Sequence, residues 1–125
     1  MPVTPGKLNL TIYQGATFRR TLKFELAPVP PATVGGPINL TGATARMQIR
    51  ASVDASTVLL ELNAINGRLV FIDEQGGVLL LEISAADTAV LNFPSAVYDM
   101  EIEFANGDVY RVLYGAVKLS KEVTR

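Results

Sequence analysis

The chain contains no cysteine, no histidine and no tryptophan. Without cysteine there are no disulfides and no thiolate nucleophiles, and without histidine there is no Ser-His-Asp triad. The two absences together exclude Cys/His zinc sites. Lack of cysteine is compatible with a cytosolic origin. Charge of one sign is also missing, with 11 basic against 12 acidic residues and a formal net charge of -1. No basic excess is available to neutralise phosphates, so no nucleic-acid partner is expected. The one adjacent basic pair, Arg19-Arg20, points to opposite faces of a strand. The longest apolar runs are four residues, and one of them, Val78-Leu79-Leu80-Leu81, suits one buried strand and falls far short of the roughly 20 residues that span a bilayer. No membrane partner is expected. Met1 to Lys7 carries no apolar segment of the kind found in a secretory signal.

What is present is apolar mass in a period of two. Of the 125 residues 49% are hydrophobic, enough for a core and too many for a disordered chain. A single domain, 1–125, is expected. Leu8, Leu10 and Ile12 alternate with Asn9, Thr11 and Tyr13, and a turn follows at Gln14-Gly15-Ala16. Phe18, Leu22, Phe24 and Leu26 share one face of a second strand, opposite Arg19, Thr21, Lys23 and Glu25. Arg20 breaks the apolar face, which places it near a rim where its stem packs and its head reaches water. Residues 27–37 read APVPPATVGGP, an exposed Pro/Gly-rich loop with polyproline character over Pro28 to Pro31. A short strand is expected at Ile38 to Leu40. Ala45, Met47 and Ile49 then face a core, with Arg46, Gln48 and Arg50 outside.

Two hairpins can be given a register. Asn66-Gly67 is a strong two-residue turn signal, and such a loop sets Leu62 opposite Phe71 and Ala64 opposite Leu69. At Asn106-Gly107 a two-residue loop would set Ile102 against Arg111. A three-residue loop ending in a left-handed Gly107 instead pairs Met100 with Val112, Ile102 with Tyr110 and Glu101 with Arg111. Ser84-Ala85-Ala86-Asp87 fits a capping box and predicts one short helix from Ala85 to Leu91, before Pro94. The last strand runs from Val109 to Leu119, with a bend expected at Gly115. Together the pattern predicts a mainly β fold, an antiparallel β-sandwich (Ig-like or open barrel) of about eight or nine strands with one short helix.

No catalytic, cofactor or metal residues emerge. Asp73-Glu74 before Gly76-Gly77 reads as a solvated turn, because a calcium loop needs more oxygen ligands at fixed spacing. Glu101 and Glu103 share a strand face, but Arg111 and Lys118 are expected to make them ordinary cross-strand partners and not a glycosidase pair. Gly35-Gly36-Pro37 lacks the Lys and Ser/Thr of a phosphate loop. Asn39-Leu40-Thr41 is a bare glycosylation sequon. Tyr110 and Tyr114 are an even number apart and are expected on one strand face, where aromatic residues more often form core or rim than a binding strip. The candidate partner contacts are Tyr13 and, in the proline-rich loop, Val29, Pro30, Pro31 and Val34.

Four stretches in order carry a resemblance: Gln14-Gly15-Ala16-Thr17-Phe18; Leu40 through Arg50; Gly77 through Thr88; and Tyr98-Asp99-Met100-Glu101-Ile102 with Gly107-Asp108-Val109, Gly115-Ala116-Val117 and Val123-Thr124-Arg125. Over 8–125 the chain resembles small structural proteins of tailed phages and prophages, and is similar to the N-terminal β-sandwich of baseplate proteins that hold receptor-binding proteins. It departs from that pattern in the long loop at 27–37, and the downstream domain of the larger baseplate proteins is not expected. The resemblance implies a virion component, made in the bacterial host cytoplasm, that works by assembly as a tail, baseplate or fibre-attachment subunit. It implies other virion proteins and further copies of the chain as partners, no cofactor and no enzymatic activity. The alternatives are a capsid or neck decoration protein and, in another class, a carbohydrate-binding module with coplanar tyrosines on a sheet face.

Overall fold

A computed structural model describes residues 5–26 and 36–124. Val29, Pro30, Pro31 and Val34, and most of the predicted loop, lie outside the described residues. The two ends of that loop are joined: the Leu26 N–H donates to the Gly36 carbonyl at 2.8 Å, and Glu25 forms an antiparallel bridge to Pro37.

Among the described residues the fold is mainly β, two sheets packed face to face with one short helix, as the alternation predicts. The strands are β1 (Gly6–Lys7), β2 (Leu10–Tyr13), β3 (Phe18–Lys23), β4 (Thr44–Arg50), β5 (Leu60–Asn63), β6 (Leu69–Asp73), β7 (Val78–Ile83), β8 (Ser95–Glu103) and β9 (Val109–Ser120). The helix α1 is Ala85–Ala89. The larger sheet runs β1-β9-β8-β4-β5, with β2 also beside β9, and the smaller one runs β3-β7-β6. Strands β1 and β2 lie parallel to β9 in a single register, Gly6 opposite Leu113 and Leu10 opposite Val117. The other pairings are antiparallel.

The core lies between the sheets. Ile12, Met47, Ile49, Leu62, Met100, Ile102 and Val117 face inward from the larger sheet, and Leu69, Leu79, Leu81 and Ile83 meet them from the smaller one. Each such side chain contributes about 1.5–3 kcal/mol on leaving water. Arg20 interrupts the inward row between Phe18 and Leu22, and it is exposed as its charge requires. Ile38 and Leu40 are buried, but they form no strand.

The first hairpin is a correction. β5 pairs with β4 and β6 pairs with β7, so the chain crosses from one sheet to the other at Asn66-Gly67, and Leu62 does not face Phe71. The turn chemistry was legible and its job was not. Gly67 has φ +76°, and the Asn66 side chain accepts from the N–H groups of Asn63 and Arg68 and donates to the Glu61 carbonyl. A turn closed by its own side chain needs no strand pairing beyond it.

The second hairpin holds at its closed end. Glu103 pairs with Val109, Ile102 with Tyr110 and Glu101 with Arg111, around a loop with Gly107 at φ +92°. Beyond that the register shifts: Met100 faces Leu113, not Val112. Val112 and Leu113 are consecutive and both buried, so the bulge turns two apolar neighbours into the core at once. This also overturns the tyrosine face. Tyr110 lies on the core side, edge-on to Phe104 with ring centroids 5.8 Å apart, whereas Tyr114 points outward.

The helix starts as expected. Ser84 caps it by accepting from the Asp87 N–H at 3.2 Å. It stops two residues early, at a Val90 cap, and Leu91 is buried just beyond it. β9 runs unbroken through Gly115. The glycine is required by close approach: a Cβ there would sit 2.1 Å from the Leu8 carbonyl oxygen.

Candidate functional site

A concavity of about 510 Å³ lies on the outer face of the larger sheet. Its cross-strand register is continuous. Lys7, Tyr114, Asp99, Gln48 and Glu61 stand abreast on β1, β9, β8, β4 and β5. Arg46, Glu101 and Arg111 form the next row. Val97, Gly115 and Ala116 are small and leave the floor low, while Ser52 and Val53 close one end.

Side chains brace one another across this face. Arg46 Nη2 is 3.6 Å from Glu101 Oε1, and Arg111 Nη1 is 3.9 Å from Asp99 Oδ2. Arg50 donates through Nη1 to the Ala55 carbonyl and through Nη2 to Gln48 Oε1, each at 2.8 Å. Gln48 in turn donates to Glu61 Oε1 at 3.1 Å. The Arg111 guanidinium lies 5.6 Å from the centre of the Tyr114 ring. Arg111 pairs with Asp99, and in place of the expected Glu101–Arg111 ion pair Glu101 meets Arg46. Lys118 faces Ser95, at the opposite end of β8 from Glu103, and is no partner of either glutamate.

The remaining predicted positions scatter. Tyr13 is 61% exposed on the same outer face, opposite Ser120. Ser120 is six residues along β9 from Tyr114, about 20 Å away. Tyr98 is buried, and its hydroxyl donates to the Leu8 carbonyl at 2.6 Å. Burial pushes its phenol up to about 12, against a smaller opposing effect of Arg20. The four tyrosines therefore form no strip. Asp73 and Glu74 make a turn, with Asp73 Oδ1 accepting from the Gly76 N–H, and the described residues contain no cluster of three or more metal-ligating side chains.

Two of the resembling stretches meet in space. Thr88, fully buried, accepts from the Gly15 N–H at 3.0 Å and donates to the Ala16 carbonyl at 2.8 Å. Gln14 donates to the Leu91 carbonyl and accepts from the Glu122 N–H. Arg68 donates to Asp87 at 2.7 Å, and that hydrogen bond holds the Asp87 carboxyl below the usual carboxylate range. Gln14 and Thr88 fasten the β2–β3 turn to α1 and the C-terminal segment, and Arg68 ties the start of β6 to α1.

No family model matches the chain, and no curated protein does. Among solved structures it is similar to CopC from Methylosinus trichosporium OB3b, at 11% identity over 93% of this chain and 89% of that one, with a TM-score of 0.47. A likeness of that size carries no argument about chemistry.

The groove escaped the sequence because its members come from four strands, β1, β4, β8 and β9. Arg46, Gln48 and Arg50 were visible as a polar outer face. Their alignment with Asp99, Tyr114 and Lys7 depends on strand order and on the bulge at Val112.

Proposed function

We propose that the chain is a structural subunit of a tailed-phage or prophage virion, made in the bacterial host cytoplasm and built into the tail, the baseplate or the fibre attachment by protein–protein contacts. The observation that carries this reading is the free side of the smaller sheet. Among the described residues β6 ends that sheet, and Val70 and Ile72 project from its outer face 43% and 56% exposed, beside the half-buried Leu80 and Val78. β6 carries no lysine and no proline to guard its edge. Such an edge invites pairing in a free monomer and is put to use when a neighbouring protein covers it. The ordered sequence resemblance supports the same reading, and a β-sandwich is the fold that resemblance implies.

The test is mass spectrometry of purified particles of the phage or prophage encoding the chain. The chain is expected at a level comparable with known virion proteins. Val70→Lys with Ile72→Lys is expected to keep the circular dichroism of the parent and to lose incorporation. Absence of the wild-type chain from particles would refute the assignment, and gold labelling over the head would transfer it to a decoration role.

A further inference from the structure

We propose that the groove on the outer face of the larger sheet binds a carboxylated sugar, such as an oligosaccharide containing uronic-acid residues. This does not depend on the virion assignment.

The first argument is what the surface offers. The floor is the middle of a sheet whose strands β9, β8 and β4 are each paired on both sides. An extended peptide that binds by strand addition finds no free backbone there. Recognition has to come from side chains, and those present are planar and polar: Asp99, Glu101, Gln48, Arg46 and Arg50. Each is held by a neighbour yet keeps further donors or acceptors, which is the arrangement that fixes adjacent hydroxyls in a defined direction.

The second argument is charge. The groove gathers Lys7, Arg46, Arg50 and Arg111 against Asp99 and Glu101, an excess of two positive charges in a chain of net charge -1. The two acids are engaged with Arg111 and Arg46, while Lys7 and Arg50 have no carboxylate within ion-pair range among the described residues. Arg50 is already oriented by Ala55 and Gln48, so a carboxylate meets a preset guanidinium. Lys7 and Arg50 are three strand spacings apart, about 14 Å, one toward each end.

The third argument is shape. Tyr114, 39% exposed, stands next to the low floor at Gly115 and Ala116 and offers an apolar ring for the C–H face of a sugar. A volume of about 510 Å³ lies within the span of small-ligand sites.

The test is a ¹H–¹⁵N titration of the full chain with trigalacturonate, with a neutral galactose trisaccharide and with a short polyaspartate peptide. Trigalacturonate is expected to shift the amides of Asp99, Gly115 and Ala116, with an affinity that falls as salt rises. Tyr114→Ala and Arg50→Gln are each expected to weaken it about tenfold, the effect of losing one stacking or charged contact. Arg50 also anchors Ala55, so Lys7→Gln, which disturbs no internal bond, is the second charge variant and is expected to weaken binding too. Tyr13→Ala, outside the groove, is expected to leave it unchanged. No amide shift at millimolar trigalacturonate overturns the proposal. Equal binding of the neutral trisaccharide overturns the carboxylate requirement, and equal binding of polyaspartate overturns the sugar.

Discussion

Gly115→Ala is the most informative single substitution in this fold. The new Cβ would lie 2.1 Å from the oxygen and 2.7 Å from the carbon of the Leu8 carbonyl. Both are backbone atoms, so relief requires the chain at Leu8 to move off β9. That movement breaks the 2.6 Å hydrogen bond from the Tyr98 hydroxyl to the same carbonyl and strands the hydroxyl in the core. Overpacking costs about 1–3 kcal/mol and the stranded hydroxyl about 1–3 kcal/mol more. A loss of about 3 kcal/mol is expected from the urea midpoint at unchanged slope. Tyr98→Phe alone is expected to cost about 1 kcal/mol. In the double variant Tyr98→Phe should no longer destabilise and should recover the cost of the stranded hydroxyl, because the bond it removes is already broken. Additive losses, or a Gly115→Ala protein as stable as the parent, would refute the reasoning.

The same tyrosine gives a pH signature. Its folded pKa is raised from 10 to about 12, so its contribution is fully present below pH 10. It is then lost as pH rises toward 12, by about 3 kcal/mol in all. In Gly115→Ala that alkaline loss is expected to shrink.

Three further outcomes are expected. Thr88→Val keeps the shape but leaves the Gly15 N–H and Ala16 carbonyl without their partner; a loss of about 2 kcal/mol, roughly 8 °C in Tm, is expected by calorimetry. Gly67→Ala meets no atom within 4 Å, so its cost is the left-handed backbone alone, about 1–2 kcal/mol in urea unfolding. The depressed carboxyl of Asp87 contributes stability that is present above its ordinary pKa and lost as pH falls through the lower folded value; Arg68→Gln should raise its titration toward 3.8, read by carboxyl NMR.

The sequence was informative wherever one residue's local chemistry settles the structure. Period-two alternation located most strands, since burial on one face of a strand is a local pattern. Ser84 and Gly107 announced a cap and a three-residue loop because each satisfies a need within a few residues. What failed was partner choice. Asn66-Gly67 closes a turn equally well between two strands of one sheet or between two sheets. The apolar faces of β5 and β6 are consistent with both. Sheet membership is decided by β4 and β7, which capture those strands from either side, and that competition leaves no mark in the local pattern.

The groove turns on one residue of register. Without the bulge opposite Met100, Tyr114 would lie on the same face as Tyr110, inside the sandwich, and Arg111 on the other. With Val112 and Leu113 both turned inward, Arg111 and Tyr114 emerge together on the outer face, three residues apart and in contact. The bulge thus fills the core and, by the same displacement, sets a cation and an aromatic ring beside Asp99. Regular pairing of Val112 opposite Met100, with no residue removed, would invert the outer face of β9 beyond it. The core would then receive Tyr114, Ala116 and Lys118 in place of Leu113, Gly115 and Val117. Burying Lys118 uncompensated costs more than the bulge does, which is why the irregularity, and the surface it builds, persists.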